Sequence, residues 1–117
     1  MNKLLLGVDV GTQMTKGILC TAAGEIVASA TVSHATQMPR PGWYEHDAED
    51  AWWGDFCRVV HQLLSSDTVH ARDVAGVGCS SMTPNTLLLD RHGTPLHPAI
   101  LYCDSRSIEI YPEILSR

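Results

Sequence analysis

Short apolar runs separated by polar turns fill the first third of the chain. The runs are residues 4–10, 16–21 and 26–32. Glycine-bearing turns at 11–13 and 22–25 connect them, and this arrangement predicts an antiparallel meander of three strands. Residues 34–46, which contain two prolines and a glycine, predict a loop.

An amphipathic helix is predicted to begin near Asp47, which is a good N-cap residue. Apolar side chains then recur at helical spacing, at Trp52, Phe56, Val59, Val60 and Leu63. This spacing predicts one face packed on the sheet, with Trp52 and Trp53 in the core. The polar residues 65–67 mark the end of the helix.

The second half of the chain predicts further strands and a last helix. Residues 74–79 are small and apolar, as expected for a strand covered on both faces. Residues 86–89 and 98–102 predict two more strands, with a turn at 90–93 between them. A helical pattern starts at Ser107, although Pro112 is expected to strain its interior. Together these elements predict a mixed α/β sheet with a helix packed on one face.

Composition narrows the function classes. The chain has 117 residues and a net charge of -5, and its few basic residues are not clustered, which argues against a nucleic-acid partner. No apolar run approaches the ~20 residues that span a bilayer, so no membrane partner is expected. The four cysteines form no CxxC pair, which is typical of a cytoplasmic protein with free thiols.

The first predicted turn carries candidate chemistry. Asp9 ends a strand, Gly11, Thr12 and Gln13 form the turn, and Lys16 starts the next strand. Glycine lets a phosphate approach the backbone, and a hydroxyl and a lysine supply further donors. A carboxylate such as Asp9 can hold hydrated Mg²⁺. The alternative is an ordinary hairpin with a polar turn; Asp9 and Lys16 on opposite faces of the sheet would exclude the phosphate site.

Three further segments make the pattern more specific: residues 41–53, 75–96 and 98–106. Their motifs include PGWYEHD, GVGCSSM and PAILYCDSR. In this order and spacing, with the turn at Gly11, they closely resemble the N-terminal domain of the FGGY carbohydrate kinases, and xylulokinases most of all.

The resemblance implies an actin-like, ribonuclease H-like fold, here incomplete, with residues 1–117 as the N-terminal portion of the first of two domains. It implies ATP, Mg²⁺ and a sugar as ligands, a cytoplasmic enzyme, and a possible homodimer of the full-length protein. Asp9 is implied as the metal ligand, and Gly11, Thr12, Gln13 and Lys16 as the phosphate-binding residues. The catalytic general base is expected beyond residue 117, so the chain alone is expected to be inactive.

The implied sugar contacts are Ser81, Met82, Thr83, Tyr102, Asp104 and Arg106. Three of them depart from the family pattern: Tyr102 replaces a tryptophan, Ser81 a glutamine, and Thr83 a histidine or glutamate. D-xylulose or a related pentulose is the expected substrate. Kinases for ribulose, gluconate or glycerol are alternatives, although Met82 in place of the glycerol-kinase arginine argues against glycerol.

Other interpretations stay open. The chain is alternatively a non-catalytic ATP- or sugar-binding sensor, or an interaction fragment. Trp43 either lines the sugar cleft or pins its loop. Asp104 and Arg106 could form only a surface ion pair, and His92 and His97 are expected to be solvated rather than zinc ligands.

Overall fold

The computed structural model describes residues 3–65 and 69–117. It divides into two compact units. The first unit combines Met1–Ala35 with Glu49–Met82, and the second combines Thr36–Ala48 with Thr83–Arg117.

The first unit is built on a four-stranded sheet. Its strands are β1 (Leu4–Val10), β2 (Met14–Thr21), β3 (Ile26–Ser33) and β5 (Val74–Ser81), in the spatial order β3-β2-β1-β5. β1, β2 and β3 form the predicted antiparallel meander, and β5 pairs parallel with β1. The predicted mixed sheet is therefore confirmed.

One helix packs on this sheet, mainly on β2 and β3. It starts as a π-helical turn at Ala48–Gly54 and continues as α1 (Asp55–Leu63). Its start immediately after Asp47 is as predicted, and it ends before residues 66 and 67, which lie outside the described residues. Its buried positions are Ala51, Asp55, Val59 and Leu63, each four residues from the next.

The predicted core position of Trp53 is wrong. Its side chain is 67% exposed. It stacks instead on Phe56, with ring centroids 5.4 Å apart and an interplanar angle of 7°. The physical reason is helical phase, because the residues that face the sheet follow Ala51 and Asp55 at four-residue steps.

β5 also differs from expectation, since most of its residues are exposed rather than covered on both faces. It follows a short 3₁₀ turn at Ala71–Asp73 and forms one edge of the sheet. Val77 is 58% exposed, whereas its partner in β1, Leu6, is only 5% exposed. α1 packs over the other strands and leaves this edge open.

The second unit contains little regular structure. β4 (Glu45–His46) pairs antiparallel with β6 (Ala99–Ile100), which is all that forms of the predicted strand at 98–102. The strand predicted at 86–89 is wrong, because only isolated bridges join Thr86 to Ile100 and Leu89 to Pro95. The predicted turn closes with a bond from Gly93 N–H to the Asp90 carbonyl.

The chain continues through a 3₁₀ turn, Arg106–Ile110, into α2 (Tyr111–Leu115). Pro112 lies in the first turn of α2, where its missing N–H costs no helical bond, so the strain predicted for it is wrong. Within residues 3–65 and 69–117, no helix has both the length and the apolarity needed to cross a membrane.

Candidate functional site

The hairpin between β1 and β2 brings the predicted phosphate-site residues together. Asp9 and Lys16 are direct partners in the antiparallel register, so their side chains lie on the same face of the sheet. This is the face opposite α1, because Leu4, Leu6 and Val8 alternate with Asp9 and are buried against the helix. The arrangement that would have excluded a phosphate site is not found.

A groove of about 440 Å³ lies beside these two side chains. Gly7 and Gly78 are neighbours in its wall, so the backbone there has no covering side chain. The groove is lined by Gly7, Val8, Asp9, Lys16, Gly17, Ile18, Gly78, Cys79 and Ser80. A carboxylate, an ammonium group and a hydroxyl therefore meet over an open stretch of backbone.

Ser80 is a site residue that the sequence analysis missed. Its Oγ donates to Asp9 Oδ1 at 2.6 Å, and the two residues are partners in the parallel pairing of β1 and β5. This bond fixes the Asp9 carboxylate at the carboxyl end of β1. The signal in the sequence is the polar pair Ser80-Ser81 at the end of a predicted strand, where parallel strands place functional side chains.

The donor set fits Mg²⁺ held jointly with phosphate. Among the described residues, no group of three or more His, Cys, Asp and Glu side chains could hold a metal ion. Mg²⁺ does not need such a cage, because one or two carboxylates, waters and phosphate oxygens usually complete its coordination. Asp9 would supply the protein ligand of this kind of site.

The turn itself depends on Gly11. Its N–H donates to the Met14 carbonyl at 3.0 Å, and a Cβ at this position would lie 2.9 Å from the same oxygen. Any larger residue would therefore displace the turn. The Gly11 N–H is therefore used within the hairpin.

His34 and Asp55 support the turn from the α1 side and were also missed. His34 Nε2 lies 3.0 Å from the Gly11 carbonyl oxygen, and its Nδ1 lies 2.8 Å from Asp55 Oδ2. The two side chains are only 7% and 3% exposed. Arg58 Nη1 donates to Asp55 Oδ1 at 2.5 Å, and its other terminal nitrogen binds Asp50.

The sequence pattern does contain a signal for His34 and Asp55. His34 continues the inward-facing alternation of Ala30 and Val32 one step past β3. Asp55 stands four residues before Val59 on the buried side of the helix. Ionisable residues at two inward positions are unusual unless they pair with each other.

The end of β5 lies beside the same turn. Ser81 is the register partner of Val10, and the Met82 N–H donates to the Val10 carbonyl at 3.3 Å. Thr12 Oγ1 lies 3.4 Å from the Met82 sulfur. Met82 thus contacts the β1–β2 turn, whereas Thr83, the next predicted sugar contact, belongs to the second unit.

In the second unit, Asp104 and Arg106 form a bidentate pair. Arg106 Nε and Nη2 donate to the two Asp104 oxygens, both at 2.8 Å, and Nη2 also donates to Glu45 at 2.7 Å. Asp104 further accepts the Tyr44 N–H at 2.7 Å. Their side chains are 3% and 18% exposed, so this is not the surface pair that was the alternative interpretation.

The hydrogen bonds between Asp104 and Arg106 keep both side chains ionised. Hydrogen bonds from the Arg106 side chain, the largest influence, lower the pKa of Asp104 to about 2. The same bonds raise the pKa of Arg106. Both groups therefore stay ionised, and their hydrogen bonds are directed mainly at one another and at the loop around Tyr44.

Tyr102 and Trp43 complete this unit's candidate residues. The Tyr102 N–H donates to Asn85 Oδ1 at 3.0 Å, and its side chain is exposed. The Arg40 and Arg106 guanidinium carbons lie over the Trp43 ring, at 4.8 and 4.1 Å from its centre. The ring is thus used in cation–π packing, which favours the loop-pinning role of Trp43 over a free stacking surface.

Comparison with known proteins places the chain in a family. The profile of the FGGY family of carbohydrate kinases, N-terminal domain, matches residues 4–117. The chain belongs to this family. The resemblance inferred from the four motifs is thereby confirmed.

Several FGGY kinases are similar over most of this chain. Glycerol kinase of Bacillus licheniformis is 36% identical over 115 residues, which are 97% of this chain and 23% of that kinase. The crystal structure of xylulose kinase from Rhodospirillum rubrum has a TM-score of 0.87 at 30% identity, covering 97% of this chain and 23% of the other. Plasmodium falciparum glycerol kinase, solved with ADP, has a TM-score of 0.84 at 26% identity, over 99% of this chain and 23% of its own.

These relatives have the actin-like ATPase fold, so the fold expected from the sequence is confirmed for part of a domain. The chain spans less than a quarter of the length of each relative, at 23%. Its FGGY relatives include kinases of different substrates, glycerol and xylulose among them.

Proposed function

We propose that this chain forms the phosphate- and sugar-binding part of a longer, ATP-dependent kinase that phosphorylates a sugar hydroxyl, with D-xylulose or a related pentulose as the substrate. The observation that carries the proposal is the shared face of Asp9 and Lys16 beside an open, glycine-walled groove. A sensor that only binds nucleotide would not need Asp9 and Lys16 to be aligned for phosphoryl transfer.

The polar residues of the groove and of the adjacent β1–β2 turn have separate roles in this proposal. Lys16 neutralises phosphate oxygens, and the turn residues Thr12 and Gln13 bring polar groups to the same place. Asp9, oriented by Ser80, holds the Mg²⁺ that accompanies ATP. The ion supplies charge neutralisation on the phosphates, and catalysis in this reaction class is mostly positioning and electrostatics.

The proposed phosphoryl transfer is a single displacement at the γ-phosphorus of ATP. The sugar hydroxyl oxygen bonds to the γ-phosphorus of ATP while the bond from that phosphorus to the β–γ bridging oxygen breaks, so ADP leaves. The hydroxyl proton passes to a general base. We propose that this base lies in the part of the kinase beyond residue 117, as the resemblance implies. The second unit, with Tyr102, Asp104 and Arg106, and the β5 end, with Ser81 and Met82, are assigned to the sugar side.

Glycerol is the second candidate substrate, because glycerol kinases are 32% to 36% identical to this chain over nearly its whole length. Met82 in place of the glycerol-kinase arginine favours the pentulose. The proposed enzyme works in the cytoplasm, and its full-length form is proposed to be a homodimer.

The test is ADP release by the complete gene product with Mg²⁺-ATP and a panel of ketoses, aldoses and polyols. We expect activity to peak on D-xylulose or another pentulose. A peak on glycerol would replace the pentulose, and nucleotide binding without release on any substrate would favour the sensor.

A variant pair links the activity to the groove. Asp9→Asn removes the proposed metal ligand, and we expect kcat to fall by about a hundredfold or more, as for loss of a charge-stabilising group. Glu25→Gln removes an exposed acid from the β2–β3 turn of the same sheet and serves as the matched control. Equal activity of the two variants would remove Asp9 from the site.

A further inference from the structure

His34 contacts the phosphate turn twice, with its backbone and with its ring. Its N–H donates to the Gln13 carbonyl at 2.9 Å, and its Nε2 lies 3.0 Å from the Gly11 carbonyl oxygen. On the other side of the ring, Nδ1 lies 2.8 Å from the buried Asp55 carboxylate. The turn is therefore connected through His34 to α1.

The contact with Gly11 determines where one ring hydrogen is. A peptide carbonyl oxygen can only accept, so Nε2 carries the hydrogen of the bond to Gly11. On the other side of the ring, Nδ1 faces the Asp55 carboxylate, which Arg58 also binds.

The bond to Gly11 also orients the next peptide N–H. The peptide between Gly11 and Thr12 is trans and planar, so its C=O and N–H point in opposite directions. His34 lies on the α1 side and draws the carbonyl towards that side. The Thr12 N–H consequently points away from His34.

We propose that His34, held by Asp55, is a positioning residue that presents the Gly11–Thr12 peptide N–H to the phosphates of the nucleotide. The proposal rests on the proposed function of the groove as a phosphate site. It adds to that function a buried histidine–carboxylate pair that contacts no substrate and acts through the shape of the turn.

The test uses variants of this pair in the 117-residue chain and in the complete kinase. His34→Leu combined with Asp55→Leu removes the donor to Gly11 without leaving a buried charge unpaired, so the fold is expected to persist. His34→Gln keeps a terminal N–H that can reach the Gly11 carbonyl. His61→Gln, at an exposed position of α1, is the matched control.

Binding of inorganic tripolyphosphate and of Mg²⁺-ATP is followed by NMR of the Thr12 and Gln13 amides. We expect about tenfold weaker binding in the double leucine variant, as for loss of a charge-assisted hydrogen bond, and less than about threefold in His34→Gln. In the complete kinase, KM for ATP should rise in the double variant while KM for the sugar stays unchanged. The wild-type ring should show a hydrogen bound to Nε2 in its ¹⁵N spectrum.

The outcomes separate the two proposals. A wild-type chain that binds neither probe overturns the groove as a phosphate site, whatever the state of the ring. Wild-type binding that the double variant and Asp55→Asn retain in full overturns the positioning role of His34. Asp55→Asn, which keeps an acceptor for Nδ1 but removes the charge, decides the matter if the double variant does not fold; weaker binding there supports the role.

Discussion

The Asp104 carboxylate is held ionised by hydrogen bonds from Arg106, which lower its pKa from 3.8 to about 2. Because the folded-state pKa is the lower one, this stabilisation is fully present above about pH 4 and is lost as pH falls towards about 2. We expect Asp104→Asn to lower the free energy of unfolding by about 2 kcal/mol at neutral pH. Urea unfolding at a series of pH values should show the difference between wild type and variant shrinking in acid.

The matched control is Glu113→Gln, which breaks the pair between Glu113 and Arg117 in α2. That pair is as short, at 2.6 Å, but its side chains are 64% and 78% exposed. An exposed pair contributes at most about 1 kcal/mol, so the control should be nearly neutral. An Asp104 variant as stable as this control at every pH would contradict the assignment of a structural role to the Asp104–Arg106 pair.

Among single residues, the sequence predicted candidate site residues that lie close together along the chain. It missed those whose partners are distant in sequence. Asp9, Gly11 and Lys16 stand within one hairpin, so their proximity follows from the turn. His34 and Asp55 are separated by 21 positions and meet only when α1 packs on the sheet. The bond of Ser80 to Asp9 likewise required the parallel pairing of β5 with β1, which a local pattern does not specify.

Among the elements, the contact of α1 with β2 depends on Gly17. A Cβ at this position would lie 2.3 Å from Val59 Cγ1 and 2.9 Å from Leu63 Cδ1. We expect Gly17→Ala to destabilise the chain by about 1 to 3 kcal/mol, the usual cost of overpacking. Thermal or urea unfolding measures this cost.

Two further variants identify its cause. Gly78→Ala is the control, because no atom lies within 4 Å of a Cβ built on that glycine in β5. Val59→Ala removes the nearest clashing atom, so the double variant with Gly17→Ala should be more stable than the sum of the two single changes predicts. Additive costs would show that the helix does not approach Gly17 in this way.

Elements with a clear local pattern were predicted, and those that depend on partners were not. The meander was correct because apolar runs and glycine turns specify it directly. Residues 86–89 carry three leucines but form only isolated bridges, since the facing segment contains Pro95 and Pro98, which cannot donate ladder bonds. The exposure of Val77 and Trp53 reflects which strands and which helix phase α1 covers, and this is decided by packing.

For the whole molecule, we expect the 117-residue chain by itself to show no catalytic turnover. Of the described residues that line the groove, Asp9 is the only acid, and the proposal commits it to Mg²⁺, so no carboxylate there accepts the hydroxyl proton. On the same face of the sheet Leu5 and Ile18 remain 44% and 39% exposed, as expected of a surface that another segment covers. ADP release should therefore be absent from the chain, present in the complete gene product, and partly restored when the chain is mixed with the separately produced remainder. Steady, sugar-dependent ADP release from the chain alone, abolished by Asp9→Asn, would contradict this and place the general base within residues 1–117.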